Sequence, residues 1–224
     1  MQKPHFKSLM FLALLMTTVM QISIIIAYKP VTLGNLLVVP GGVIGFPLVF
    51  TIGDIITEVF GYQYARKIVW QSVGCSTIFT VVTLGIISLP SPASWHYQMD
   101  YEIVFSHLFR VLLAVIFGVT TSSFINLYLF ARWKIFFRGR FFSFRCFASS
   151  AIGEIAITII AGLTAFYGAM PNDSLIYMLI SCYVLSIIYS FIVAFPANLV
   201  AIFLKRFEQL DHYDYSTNFN PFKL

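Results

Sequence analysis

The sequence predicts an all-α membrane protein of six transmembrane helices, the second interrupted by proline and glycine, with N- and C-termini cytoplasmic. Three observations carry that expectation. Of 224 residues, 59% are hydrophobic and 10% charged, whereas a soluble domain carries about 25% charged residues. The apolar residues fall into six runs near or above the ~20 residues that cross a bilayer. Lysine and arginine gather in alternate connections, as they do in cytoplasmic loops.

Residues 9–28 form the first expected span. Their apolar stretch exceeds the roughly 7–15 residues of a signal-peptide core and no small-x-small cleavage pattern follows, so a retained helix is expected. Residues 36–60 form the second, interrupted at "VVPGGVIGFP" by Pro40, Gly41, Gly42, Gly45 and Pro47. Residues 68–89, 103–130, 146–170 and 175–204 form the third to sixth, and 205–224 a cytoplasmic tail. Residues 1–224 read as a single membrane domain. With the N-terminus inside, inner segments hold Lys3, Lys7, Arg66, Lys67, Arg132, Lys134, Arg138, Arg140, Arg145, Lys205, Arg206 and Lys223, 12 of the 14 basic residues. Lys29 stays outside and Arg110 lies within the fourth span.

The net charge of +5 raises the question of nucleic acid, since "ARWKIFFRGRFFSFR" interleaves basic and aromatic residues as single-strand binders do. A membrane-interface loop attracted to anionic lipid accounts for the same pattern, so lipid rather than direct nucleic-acid binding is expected. Cys75, Cys146 and Cys182 lie in apolar runs without a CxxC pair and read as buried small hydrophobes.

Four charges remain inside the expected spans: Asp54, Glu58, Arg110 and Glu154. Each costs a few kcal/mol near the bilayer centre unless paired or hydrated, which makes each a functional candidate. Asp54 and Glu58, four apart, share a helix face with Thr51 and Tyr62 if the helix is continuous. Glu58 either reaches the interface, pairs with Arg66 or Lys67, or serves the site. Arg110 and Glu154 can pair or stand apart. Full ionisation of all four leaves a charge of about −2, which low dielectric offsets with a proton, a cationic ligand or water. Pro and Gly before Asp54 form either a substrate-lining break or a simple kink. Asn126, Gln71 and Asn198 add neutral hydrogen-bonding groups, which serve a site or join helices.

No Walker A, HExxH, GxSG or Asp-rich pyrophosphate motif is found, and the four histidines have no metal-ligand spacing. A cofactor-free, metal-free non-enzyme is expected.

Residues 29–67, "KPVTLGNLLVVPGGVIGFPLVFTIGDIITEVFGYQYARK", resemble the VUT/YhhQ family of queuosine-precursor transporters. The family pattern is met at Pro40, Gly42, Phe46, Pro47, Phe50, Asp54, Thr57, Glu58, Gly61, Ala65 and Arg66. In the fifth helix, "ASSAIGEIAIT", Ser149, Ser150 and Gly153 fit; Glu154 stands where the family has an amide, and Ile157 where it has an aspartate. The resemblance implies a multi-pass importer of 7-deazapurines (preQ0, preQ1 or queuine) in the bacterial inner membrane, serving tRNA modification. It implies a substrate site in which Asp54 and Glu154 read the base edge or an amine and Glu58 assists or gates. Phe46, Phe50, Tyr62 or Trp70 would stack on the base, with Arg110, Asn126 and Gln71 completing the set. Protons are a candidate second partner, and a homo-oligomer is left open. The alternative is the substrate-binding subunit of an energy-coupling-factor vitamin transporter, which needs an ATPase from another chain.

Overall fold

The computed structural model describes residues 7–33 and 37–223; Lys3 and His5 lie outside the described residues. Among the described residues, six helical stretches are long and apolar enough to cross a membrane: Ser8–Ile26, Gly41–Phe60, Tyr62–Ile87, Gln98–Phe136, Phe142–Phe166 and Asn172–Glu208. The helices are α1 (Lys7–Ile26), α2 (Phe46–Phe60), α3 (Tyr62–Ile87), α4 (Gln98–Phe105), α5 (Leu108–Ala114), α6 (Thr120–Phe136), α7 (Phe142–Phe166) and α8 (Asn172–Glu208). Strands β1 (Pro30–Leu33) and β2 (Leu37–Pro40) pair antiparallel between α1 and α2, Val31 opposite Val39 and Thr32 opposite Val38. They mark one end of the bundle, the hairpin end. Arg66, Arg132, Lys134, Arg145 and Lys205 gather at the other, the basic end.

The bundle is organised around α2. Asp54 and Glu58 are its only charges, and a helix apolar on nearly every side is buried. Of its 15 residues, 13 are buried, against α1, α3, α6, α7 and α8. Both carboxylates therefore face protein, not lipid.

Three expectations change. The second span does not begin at residue 36: Leu37–Pro40 is strand, Gly41–Ile44 a single 3₁₀ turn, and α2 starts only at Phe46. β-branched Val31, Thr32, Val38 and Val39 favour the ladder, and Pro47 sits in the first turn of α2, where its missing N–H is harmless. No basic loop separates the second and third spans. Gly61, at φ 92°, reverses the chain in one residue, so Arg66 and Lys67 belong to α3 and Tyr62 leaves the stripe of Thr51, Asp54 and Glu58. Cys75 faces outward rather than inward, while Cys146 and Cys182 are buried as expected.

The fourth stretch carries a π turn, Val115–Val119, between α5 and α6. The Thr120 hydroxyl donates to the Val115 carbonyl at 3.0 Å and serves the widened turn. Helix α8 lays a buried stripe of small residues, Cys182, Ser186, Ser190, Ala194, Ala197 and Ala201, against its neighbours. In lipid, close backbone approach through small side chains drives helix association.

At the π turn, a Cβ on Gly118 would sit 2.4 Å from the Ala161 Cβ and 2.6 Å from its backbone nitrogen. Gly118→Ala is therefore expected to destabilise the detergent-solubilised protein by about 1–3 kcal/mol, read as an earlier thermal unfolding transition. Gly74→Ala, with nothing within 4 Å of its added Cβ, should leave the transition in place or raise it slightly.

Candidate functional site

At the basic end, Glu58 is held by three cations from three other helices. Arg145 Nη1 of α7 donates to Glu58 Oε2 at 3.0 Å, and Lys205 Nζ of α8 to Oε1 at 2.7 Å. Lys134 Nζ of α6 lies 3.8 Å from Oε1 and donates to the Glu58 backbone carbonyl at 2.6 Å. Arg145 is fully buried, its guanidinium 4.7 Å from the Phe130 ring centroid. The pairing with Arg66 or Lys67 is not formed; Gly61 turns the chain before those residues can face Glu58.

The segment after α8 closes this end. Asp211 accepts from Lys134 Nζ at 2.6 Å and lies 3.0 Å from Lys205 Nζ. Three cations thus face two carboxylates. Farther along, Asp214 accepts the Tyr62 backbone N–H at 3.0 Å and so caps the start of α3. Arg66 donates to the Asn218 and Asn220 carbonyls at 3.1 and 2.7 Å. The Trp70 indole donates to the Pro221 carbonyl at 2.8 Å. Burial would raise the Asp211 carboxyl, but hydrogen bonds from Lys134 and Lys205 outweigh it and hold Asp211 below the usual carboxylate value.

Halfway along α2 the environment changes. Asp54 is fully buried; its Oδ1 accepts from Asn126 Nδ2 at 2.8 Å, and the Cys146 thiol faces the same carboxyl. Oδ2 has no hydrogen-bond partner, and neither have Asn126 Oδ1 and the buried hydroxyls of Ser123, Ser150 and Ser190. Asn126 and Phe50 both pack against the backbone of Gly153, which adjoins Glu154.

Glu154 lines a different space. A cavity of about 90 Å³ lies between the start of α2, α5 with its π turn, α7 and α8. Its walls are almost wholly apolar, including Pro40, Phe46, Val115, Ile157, Phe166 and Met178, with Glu154 as the one charged residue. Glu154 faces Ser186 of α8, and its buried Oε1 has no hydrogen-bond partner. At roughly 10–15 Å³ per water, several waters or a small group would fit. Toward the hairpin end follows a wider vestibule of about 930 Å³, bordered by Tyr28, His107, Arg110 and Asp173.

The predicted site residues thus separate. Asp54, Asn126 and Phe50 meet at the junction of α2, α6 and α7. Glu154 stands beside that junction in the apolar cavity, and Glu58 is tied into the ionic cluster. Arg110 borders the vestibule, donating to the Tyr167 carbonyl at 2.5 Å, and forms no pair with Glu154. Trp70 packs on Phe124 and Phe222 and serves the tail. Gln71 is exposed on α3, on the face turned away from Asp54. Sequence reasoning misses Lys134, Arg145 and Lys205 as buried partners of Glu58, because inward and interfacial cations at helix ends look alike in the sequence. Tyr28, Ser186 and Ser190 carried no signal beyond a polar group at the edge or inside of an apolar run.

Removing a partner from a buried ionic cluster costs about 3–5 kcal/mol, because the remaining charges stay buried. Glu58→Gln leaves three cations facing Asp211 alone and should lower the stability of the solubilised protein by that amount, measured by thermal or chemical unfolding. Asp211 has a depressed value in the folded chain, so its stabilisation of the tail is present above the unfolded value of about 3.9 and is lost as pH falls through the lowered one. Hydrogen exchange of residues 209–223 should therefore stay protected at neutral pH and lose protection below about pH 4. Asp211→Asn should lose it throughout.

Residues 40–201 match the family described as "Putative vitamin uptake transporter". A curated relative from Bacillus subtilis (strain 168), named "Probable queuosine precursor transporter", is 30% identical over 162 residues, 72% of this chain and 67% of the relative. No solved structure matches the chain. The matched segment holds α2, Asp54, Glu58, Asn126, Arg145 and Glu154, and stops just short of Lys205 and the tail. The chain is a multi-pass membrane protein and belongs to this vitamin uptake transporter family.

Proposed function

We propose that the protein imports a queuosine precursor, a 7-deazapurine base, across the bacterial plasma membrane, with both termini and the basic end cytoplasmic. One observation carries the proposal: Glu154, buried with a free carboxylate oxygen, is the one charged group facing an apolar cavity that shares its wall with the wider vestibule. An apolar pocket with a few convergent polar groups is the usual form of a small-molecule site. The similarity to a relative named for queuosine precursors supports the choice of cargo.

The chemistry fits that cargo. A deazaguanine presents a ring N–H beside an exocyclic amine, and one carboxylate accepts both in a forked pair. A 7-aminomethyl group is cationic and supplies the counter-charge that a buried carboxylate requires. Outside the lining of that cavity, Asp54, Asn126 and the buried hydroxyls of Ser123, Ser150 and Ser190 hold further unpartnered oxygens. Glu58 acts there as a tie rather than a ligand, since its oxygens are already taken by Arg145 and Lys205. In this arrangement the tail closes the cytoplasmic side while the vestibule faces outward. Release inward requires the tail and its lysines to part.

The test is uptake of labelled preQ0 and preQ1 into vesicles holding the purified protein and no ATP. Wild-type protein is expected to admit them. Glu154→Gln should lower preQ1 uptake roughly 10–100-fold, the worth of a charge-assisted hydrogen bond, and preQ0 uptake less. Vesicles that admit neither base, or a Glu154→Gln variant equal to wild type, would remove the proposal.

A further inference from the structure

We infer that Tyr28, with Phe166 and the displaceable ring of His107, forms an outer stacking subsite that receives a flat heteroaromatic base before it reaches the Glu154 cavity. The inference rests on the proposed function, because it takes the cargo to be such a base.

The geometry is that of a neck. Pro40, Phe166 and Met178 line both the vestibule and the inner cavity, so they are the wall between the two spaces. The Tyr28 ring stands at that wall. Its centroid lies 4.8 Å from that of Phe166, the planes tilted by 30°, and its hydroxyl donates to the Ala165 carbonyl of α7. On its other side, the His107 imidazole is stacked on it at 4.1 Å and 8°. Tyr28 is thereby fixed at three points, with one face covered by a ring rather than by an aliphatic chain.

His107 differs from Tyr28 in how it is held. It occupies the turn between α4 and α5 and is only half-buried. Its side chain can swing into the vestibule about its own χ angles without moving a helix. A base entering from the vestibule takes its place parallel to Tyr28, at the spacing the pair already shows. The next step inward is Phe166, and beyond it the carboxylate of Glu154.

Stacking accepts any flat π-face, whatever its edge carries, and is worth about 1–3 kcal/mol per base. This gives the subsite a signature that separates it from Glu154. Loss of the Tyr28 ring must weaken neutral and cationic bases equally; loss of the Glu154 charge must weaken the cationic base more.

The experiment measures initial uptake of 7-cyano- and 7-aminomethyl-7-deazaguanine over a range of concentrations, together with calorimetric binding in detergent. Tyr28→Leu is expected to raise the apparent KM and the Kd for both bases by about 10-fold, with the maximal rate little changed. Tyr28→Phe keeps the ring and should stay close to wild type. An unchanged KM and Kd for Tyr28→Leu, or a loss confined to the maximal rate, overturns the subsite while leaving the proposed cargo standing. Failure of wild-type protein to bind either base overturns both. If Tyr28→Leu does not accumulate in the membrane, Phe166→Leu removes the second ring of the neck and carries the same test. Equal weakening of both bases then supports the subsite, and unchanged affinity overturns it.

Discussion

The arrangement of the bundle depends on placing a carboxylate, Glu58, near the end of a helix that is surrounded on all sides. Neither lipid nor water can compensate it there, so protein must. Arg145, Lys205 and Lys134 converge on it from α7, α8 and α6, and this convergence registers three helices against α2 at one level. Buried ion pairs return little net stability, because desolvation offsets most of the attraction. What they impose is position: a helix shifted by one residue leaves a charge unpaired in low dielectric. The excess of positive charge also gives Asp211 a place to dock, and with it the chain that follows α8.

Above that layer the compensation ends. Asp54 has neutral neighbours, Asn126 and the Cys146 thiol, and Glu154 faces Ser186 in an apolar cavity. Among the described residues neither makes a salt bridge. The contrast between a saturated carboxylate and two unsaturated ones lies within one membrane protein and nearly one axis. A carboxylate already holding its cations has no capacity for a ligand, whereas a buried one with an open oxygen has a free-energy reason to gain a partner. Glu58 and Glu154 therefore differ by surroundings, not by residue type.

The two ends of the molecule close by different means. Ionic and hydrogen-bonded contacts seal the basic end, through Lys134, Arg66 and the tail carbonyls. Aromatic contacts narrow the hairpin end, through Tyr28, Phe166 and His107. Ionic closure is specific and breaks as a unit. Aromatic closure is permissive toward flat solutes and tolerates small displacements. The π turn at Val115–Val119 and the unwound chain before α2 both border the inner cavity, where irregular backbone is sheltered by protein.

Much of this was legible in the residues alone. Six apolar runs, the scarcity of charge, and the run from Pro40 to Arg66 determined the membrane class and the family, because a bilayer admits few solutions to backbone hydrogen bonding. The interior carboxylates were visible for the same reason, each standing out from an apolar run. Their partners were not. Lys134, Arg145 and Lys205 lie 76, 87 and 147 residues from Glu58, and no local pattern distinguishes an inward lysine at a helix end from an interfacial one. The strand pair Pro30–Leu33 and Leu37–Pro40 was hidden by apolar residues equally suited to a span. Gln71 and Trp70 looked eligible by type, and only the rotation of α3 turned them away from the cavity. Composition and spacing thus determined which environment the chain inhabits; tertiary packing decided which of its charges were satisfied, since that depends on distances across the bundle that no stretch of sequence contains.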